Sequence, residues 1–445
     1  MSDSSDEESD DDSSVVSYTE EDFLVDLRGV RVNDPGVRSF VVNGTFECIR
    51  NMTDEGWEQM GRAISSSSHL KKFEIKEDAL DDQRMSFLFR GLTRSSSIRD
   101  MTLIGNGFGF NGIQSMLPFL QNANNLRKLG ISGSNITSEG FGLLFRALSV
   151  SPIEELGLYC CGLSSIEIDD DYVPVNLKDL RLINNIMNTD GCRELAKLLQ
   201  RENATLKHLD LGYNNIDDEG ITILVDALQT NSSLKLLNVH HNDGITIEGM
   251  KLLLKLVNDV SSIKATLQSN HTLKWMSFNG YFDDTNVGKQ IQRALQINME
   301  NRNNPDAAGK EKVIQTQLNT EKRSEMCRLQ GPQHTAKPLT ELGSLLLPEV
   351  LELVGKHHGL SEFYNTFRTS VADLWTTINR KKVIQQRRDE ISKQMEALTK
   401  EKKQLDTEID MIDQNEMKEC IVYSGSVSHA ANDSRLHSQK RARMH

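Results

Sequence analysis

The side chains best equipped for chemistry in this 445-residue chain are His208, Asp210, Asn238 and His240, with Leu236 and Trp275 at related positions. Two imidazoles and a carboxylate could ligate a metal or exchange protons. Their spacing argues against both. On adjacent strands His208 and His240 fall four residue steps out of register, about 13 Å apart. Ligands sharing a metal sit about 2 Å from it. Asp210 shares a strand face with His208, but no serine or cysteine nucleophile is placed with them. The acids of "DDE" (217–219) suggest calcium, yet the alternating oxygen ligands of a calcium loop are missing. Acids just before a helix-opening glycine recur at Glu55, Glu139, Asp190, Glu219 and Glu248, where they suit a helix N-terminus. The cysteines, at 48, 160, 161, 192, 327 and 420, form no Cys-x-x-Cys pair. The expectation is no catalytic residue, no metal and no cofactor.

A repeat must position these residues. First apolar positions recur at Leu70, Ile98, Leu126, Ile153, Leu177, Leu206, Leu234 and Leu273. Most steps are near 28 residues; the last contains an insertion around "NDVSSIKATLQSN". A degenerate copy is expected over 42–69, where "NMTDEGWEQMGRAI" matches the later half of a repeat. Each copy reads as strand, loop and helix. Leu209 and Leu211 alternate with polar residues, and Ile221, Leu224, Val225 and Leu228 follow at helical spacing. One unit cannot bury its apolar face alone, so stacking must pair the strands into a parallel sheet. An asparagine column (Asn106, Asn185, Asn214, Asn242, with Asp78, Ser134 and Cys161 in weaker copies) is expected to tie turning backbone to the neighbouring copy.

This repeat resembles the leucine-rich repeat superfamily, in the longer ribonuclease-inhibitor-like subclass, over roughly residues 42–299. The resemblance implies an α/β solenoid with a curved parallel sheet inside and helices outside, followed by an α-helical, coiled-coil region. It also implies a concave strand face that binds a protein. The strand pattern places His208, Asp210, Leu236, Asn238, His240 and Trp275 on that face. Trp is the strongest anchor type there, although Trp275 also suits a covering role over the insertion or the last repeat.

Residues 1–22 carry ten Asp/Glu and no Lys/Arg, so residues 23–445 hold 51 basic against 54 acidic residues, a balance of −3. Acidity is thus a property of the tail. A near-neutral body argues against a large nucleic-acid footprint, and no apolar run approaches the length of a membrane span. Ser4, Ser5 and Ser9 each precede an acid by three residues, a context suited to acid-directed kinases. The expected organisation is a disordered acidic tail (1–22), a capped solenoid (23–299), a linker with a helix (300–338), a helical region (339–415) and a disordered tail (416–445). Ile384, Ile391, Leu398, Leu405 and Ile412 mark a heptad seam whose companion positions are Arg388, Met395, Lys402 and Ile409. That helix either pairs with another copy or a partner, or folds back as a hairpin. Scattered thiols suit a cytoplasmic setting, and short basic runs leave the nucleus open.

The expected function is a non-enzymatic scaffold or adaptor with protein partners and no membrane. The alternative is a GTPase-activating protein resembling the Ran GTPase activators. Against that family, the acidic segment here precedes the repeats, and the post-strand loops have no Arg-Asn-Arg character. A likeness to tropomodulin also shares solenoid plus helix, but with the helices in the opposite order.

Overall fold

A computed structural model describes residues 18–77, 79–317 and 382–412. The described residues fall in two compact units, a solenoid and a separate helix. In the first, among the described residues, nine strands form one parallel sheet in sequence order: β1 (Ser39–Asn43), β2 (Lys72–Lys76), β3 (Asp100–Ile104), β4 (Lys128–Ser132), β5 (Glu155–Tyr159), β6 (Asp179–Arg181), β7 (His208–Asp210), β8 (Leu236–Asn238) and β9 (Trp275–Ser277). Alternate strand residues are buried on one side, such as Phe73 and Ile75, Leu209 and Leu211. The period of two therefore gives each strand one core face and one open face.

The helices cover the core face: α1 (Glu20–Arg31), α2 (Glu47–Arg50), α3 (Asp54–Ser66), α4 (Asp82–Gly91), α5 (Phe110–Asn122), α6 (Ser138–Leu148), α7 (Thr189–Gln200), α8 (Asp218–Gln229), α9 (Ile247–Val257), α10 (Ile263–Gln268), α11 (Asn286–Glu300) and α12 (Pro305–Lys312). Side-chain caps start most of them, including Thr53 on α3, Thr137 on α6, Asp217 on α8 and Thr246 on α9. The recurring acids before glycine occupy first turns beside those caps, where exposed amides favour negative charge.

The "DDE" acids divide three tasks. Asp217 accepts from Gly220 N in its own helix at 2.9 Å. Asp218 accepts from Thr246 N and Gly249 N of the next repeat, at 2.8 and 3.0 Å. Glu219 pairs with Arg193 at 2.7 Å. These carboxylates join neighbouring repeats.

The asparagine column works the same way. Asn214 accepts from Met187 N at 2.9 Å and donates to Leu182 O and Leu211 O at 2.7 and 3.0 Å. Asn106, Asn185 and Asn242 make equivalent bridges. Asp78 lies outside the described residues.

Two features differ from the simple strand–loop–helix expectation. After β5 the 24-residue step between Ile153 and Leu177 is too short for a full α-helix. A short 3-10 turn, Asp170–Tyr172, stands there instead, and Ile166 and Ile168 cover the core. At the other end the expected linker begins as a cap. α12 and the π-helical turn Val313–Gln317 bury Ala308, Lys312, Val313 and Ile314 against the last repeat. The solenoid unit therefore continues past residue 299. A matching cap closes the first strand, where Phe23, Phe40 and Phe73 stack at 5.5 and 6.1 Å.

The second unit is a continuous helix over 382–412. Its seam residues Ile384, Ile391, Leu398, Leu405 and Ile412 are 50–63% exposed. Among the described residues, no helix is long and apolar enough to cross a membrane.

Candidate functional site: the open face of the sheet

The strand register places the expected columns side by side. Asp179, His208, Leu236 and Trp275 are successive partners across β6–β9, and Arg181, Asp210, Asn238 and Ser277 form the next row. His240 lies four residues beyond Leu236. The six candidate residues consequently do not converge on one point; they form three sets across the face.

At the edge where strands begin, His208 meets Asp179. Its Nδ1 stands 3.1 Å from Asp179 Oδ2, and Arg181 grips both carboxylate oxygens of Asp179 at 2.9 Å. The almost buried carboxylate is thus satisfied by a bidentate pair, a geometry that fixes Arg181 on the open face. Tyr159 lies against Arg181 on the other side. Trp275 stands on the last strand with 47% of its surface exposed.

In the middle row, Asn238 Nδ2 donates to Asp210 Oδ1 at 2.8 Å, and Gly212 N donates to the same oxygen at 3.0 Å. Asn238 Oδ1 accepts from His240 N at 3.0 Å. Through these bonds Asp210 Oδ1 and Asn238 hold the strand ends in shape.

The third set lies where strands end, and it holds residues that sequence patterning did not single out. Tyr213, His240 and His241 form one cluster, with ring centroids 5.6 Å (Tyr213–His240), 4.2 Å (Tyr213–His241) and 3.8 Å (His240–His241) apart. Tyr281 stands nearby, its hydroxyl accepting from Asn279 Nδ2 at 3.0 Å, while Asn279 Oδ1 accepts from His241 N. Tyr213 and Tyr281 are 49% and 61% exposed.

Backbone shape explains how Tyr213 and His241 come to project. Each precedes a column asparagine and has a left-handed φ, 56° and 51°. The same turn position is Glu77, Gly105, Gly133, Cys160 and Asn184 in earlier repeats, each also left-handed. Glycine and asparagine take this conformation cheaply; bulky side chains there cost about 1–2 kcal/mol. The signal available in the sequence was the residue before each column position, where Glu77, Gly105, Gly133, Cys160 and Asn184 give way to the rings of Tyr213 and His241.

Among the described residues, no group of three or more His, Cys, Asp or Glu is arranged to hold a metal ion. Burial pushes the thiol of Cys161 up to about 11 and that of Cys192 up to about 12, so both are protonated at neutral pH. Ser4, Ser5 and Ser9, the helices expected over 340–378 and the tail from 416 lie outside the described residues.

Comparison with known proteins agrees with this architecture. A family model described as "Leucine Rich repeat" matches residues 202–224. The chain is 24% identical over 237 residues to human (Homo sapiens) NACHT, LRR and PYD domains-containing protein 5, covering 52% of this chain and 20% of that protein. It is 24% identical over 237 residues to human Centrosomal protein of 78 kDa, covering 52% of this chain and 33% of the relative. Pig (Sus scrofa) Ribonuclease inhibitor is 25% identical over 187 residues, 40% of this chain and 41% of its own length. The chain thus spans less than half the length of each of these relatives. The strand register and asparagine bridges described above agree with these matches and support a leucine-rich repeat solenoid of the ribonuclease-inhibitor-like kind.

Proposed function

We propose that this protein is a non-enzymatic intracellular adaptor. It binds a partner protein on the open sheet face and tethers or self-associates through its C-terminal helix. Leucine-rich repeat relatives are protein-interaction proteins, and one similar protein is, by its name, an inhibitor of an enzyme. The observation that carries the reading is the exposed cluster of Tyr213, His240 and His241, with Tyr281 beside it and Trp275 on the same last strands. Large amphipathic rings exposed at fixed positions are favoured binding anchors. Stacking needs none of them, and two sit in backbone conformations that oppose them.

The helix 382–412 supports the second half of the reading, because its apolar seam is exposed along its whole length. An apolar stripe at heptad spacing is stable when another helix covers it.

The test is quantitative capture with two baits, residues 18–317 and residues 339–415, beside the complete chain. Distinct partner sets on the two baits are the expected result. The triple variant Tyr213→Ala/His240→Ala/Trp275→Ala in the first bait should lose its partners while remaining folded. Full retention of every partner by that variant would sink the open-face assignment.

A further inference from the structure

The edge at which the strands begin carries a row of bases that no function above uses. The residue just before each strand, which from the second strand on directly follows the first apolar position of the repeat, is Arg38, Lys71, Arg99, Arg127, Glu154, Lys178, Lys207, Lys235 or Lys274. Eight of these nine are basic. They are true neighbours: each backbone N–H donates to the carbonyl of the rung before it, from Lys71 N to Arg38 O at 2.8 Å through to Lys274 N to Lys235 O at 2.9 Å. Glu154, the one acid, is already taken by Lys178 at 2.7 Å and Arg127 at 3.9 Å. Among the described residues, no carboxylate pairs with Arg38, Lys71, Arg99, Lys207, Lys235 or Lys274. Lys235 shows the result. Burial, then the adjacent Lys274 and Lys207 charges, pull its ammonium below its ordinary value. A fold with a balance near zero has therefore concentrated unpaired positive charge along one edge.

The complementary charge is in the same chain. Residues 1–17 contain seven acids and no base, and lie outside the described structure. The described chain begins at Tyr18, beside the first strand: its ring packs against Phe46, 6.3 Å between centroids, and its hydroxyl lies against the Val41 backbone. Val41 is three residues from Arg38, about 10 Å along the strand. The row spans eight strand steps of about 4.8 Å, about 38 Å in all. Seventeen extended residues reach about 56 Å. The tail leaves the fold at the far end of the first strand from Arg38, where Glu20 accepts from Glu47 N and Cys48 N at 3.1 and 2.8 Å, and it is long enough to cross to the row and run along it.

We propose that the acidic N-terminal segment, residues 1–17, docks in cis along the basic row from Arg38 to Lys274. The contact is electrostatic, many weak pairs with partial desolvation, so it is salt-sensitive and reversible. Phosphate groups on Ser4, Ser5 or Ser9 would add charge to the docked segment and hold it more firmly. An extended peptide is favoured over nucleic acid here because one exposed ring at the end of the row, Trp275, is not the succession of stacking rings that nucleobases need.

Carbodiimide cross-linking of the complete chain tests this, using an equal mixture of 14N- and 15N-labelled protein. The expected result is amide cross-links from Asp or Glu of residues 1–17 to Lys71, Lys178, Lys207, Lys235 or Lys274 within one isotopic copy. Their yield should fall about threefold or more in 0.5 M NaCl, where screening is short-ranged. It should also fall in Arg38→Glu/Arg99→Glu, which leaves every cross-linkable lysine in place and removes no ion pair of the fold. Separately, a synthetic peptide of residues 1–17 should bind a chain lacking residues 2–17 more tightly than the complete chain. Three results would overturn the proposal: links formed only between copies, equal yields at helix-side lysines such as Lys251 and Lys289, or a peptide that binds neither chain.

Discussion

At the scale of single residues, the columns that recur and the residues that break them have separable roles. Asn214 sits in a recurring column, and its amide meets three backbone groups from two repeats. Asn214→Ala would leave Met187 N and Leu182 O without that partner, while Leu211 O keeps Asn242 Nδ2; the loss costs about 3 kcal/mol. A lowered urea midpoint with an unchanged slope should show it, and partner capture by the folded fraction should be unaffected. Tyr213 is the converse case. Asn184 already holds the same left-handed position in the preceding repeat, so Tyr213→Asn should keep or raise the midpoint while weakening partner capture. A stable Tyr213→Asn protein that retains every partner would remove the rim cluster from the site. The sequence carried the first case openly, because strand and asparagine columns repeat and a period exposes them. It carried the second poorly. Alternation reports which face a strand residue takes, whereas Tyr213 and His241 leave the strand through a turn whose φ no apolar pattern encodes.

Among elements, the C-terminal cap is the one composition concealed. The chain from residue 300, with "NRNNPDAAGKEK" (301–312), reads as linker. In the fold, Pro305 starts α12, and Lys312 is fully buried, its Nζ donating to Val257 O at 2.6 Å and to His271 Nδ1 at 3.2 Å. His271 Nε2 faces Leu267 O at 3.2 Å, so the neutral ring donates there and accepts from Lys312. Burial pulls the Lys312 ammonium down to about 7. Burial and then the Lys312 charge pull His271 down to about 4, against the Leu267 carbonyl and Asp306, which favour the charged ring. An unfolded lysine titrates near 10.4 and an unfolded histidine near 6.5. Between about 7 and 10 the unfolded cap holds a proton that the folded cap has released, so cap stability rises with pH across that window and ignores Lys312 below it. Between about 6.5 and 4 the same reasoning applies to His271, and stability falls as pH drops. Hydrogen exchange of α12, referenced to α8, should follow both windows. Lys312→Met should slow α12 exchange and abolish the upper window; an upper window that survives the substitution would assign it to another group.

For the whole molecule, what decides assembly is how the helix 382–412 is covered. Heptad positions at Ile384, Ile391, Leu398, Leu405 and Ile412 were legible from spacing alone, but orientation depends on the charges beside them. A parallel pair of copies would set Arg388 against Arg388 and Lys402 against Lys402 in the seam, with Glu401 beside Asp406 at the flank. Like charges so placed destabilise a coiled coil. An antiparallel pair centred between Glu396 and Ala397 does the reverse. It sets Ile384 against Ile409, Met395 against Leu398, Arg388 against Leu405 and Lys402 against Ile391, and it brings Arg387 opposite Glu408 on both sides. The long basic side chains can then lie along apolar neighbours with their charges in water. The proposed self-association is therefore expected to be antiparallel. In sedimentation equilibrium of the complete chain, Arg387→Glu should weaken the dimer about tenfold by turning two attractive flank pairs into repulsive ones. Arg387→Glu/Glu408→Arg should restore it, because the swap recreates both pairs. In a parallel dimer Arg387 faces Ser392, so neither change would matter in this way. A complete chain that stays monomeric at every concentration would reserve this seam for a different helix.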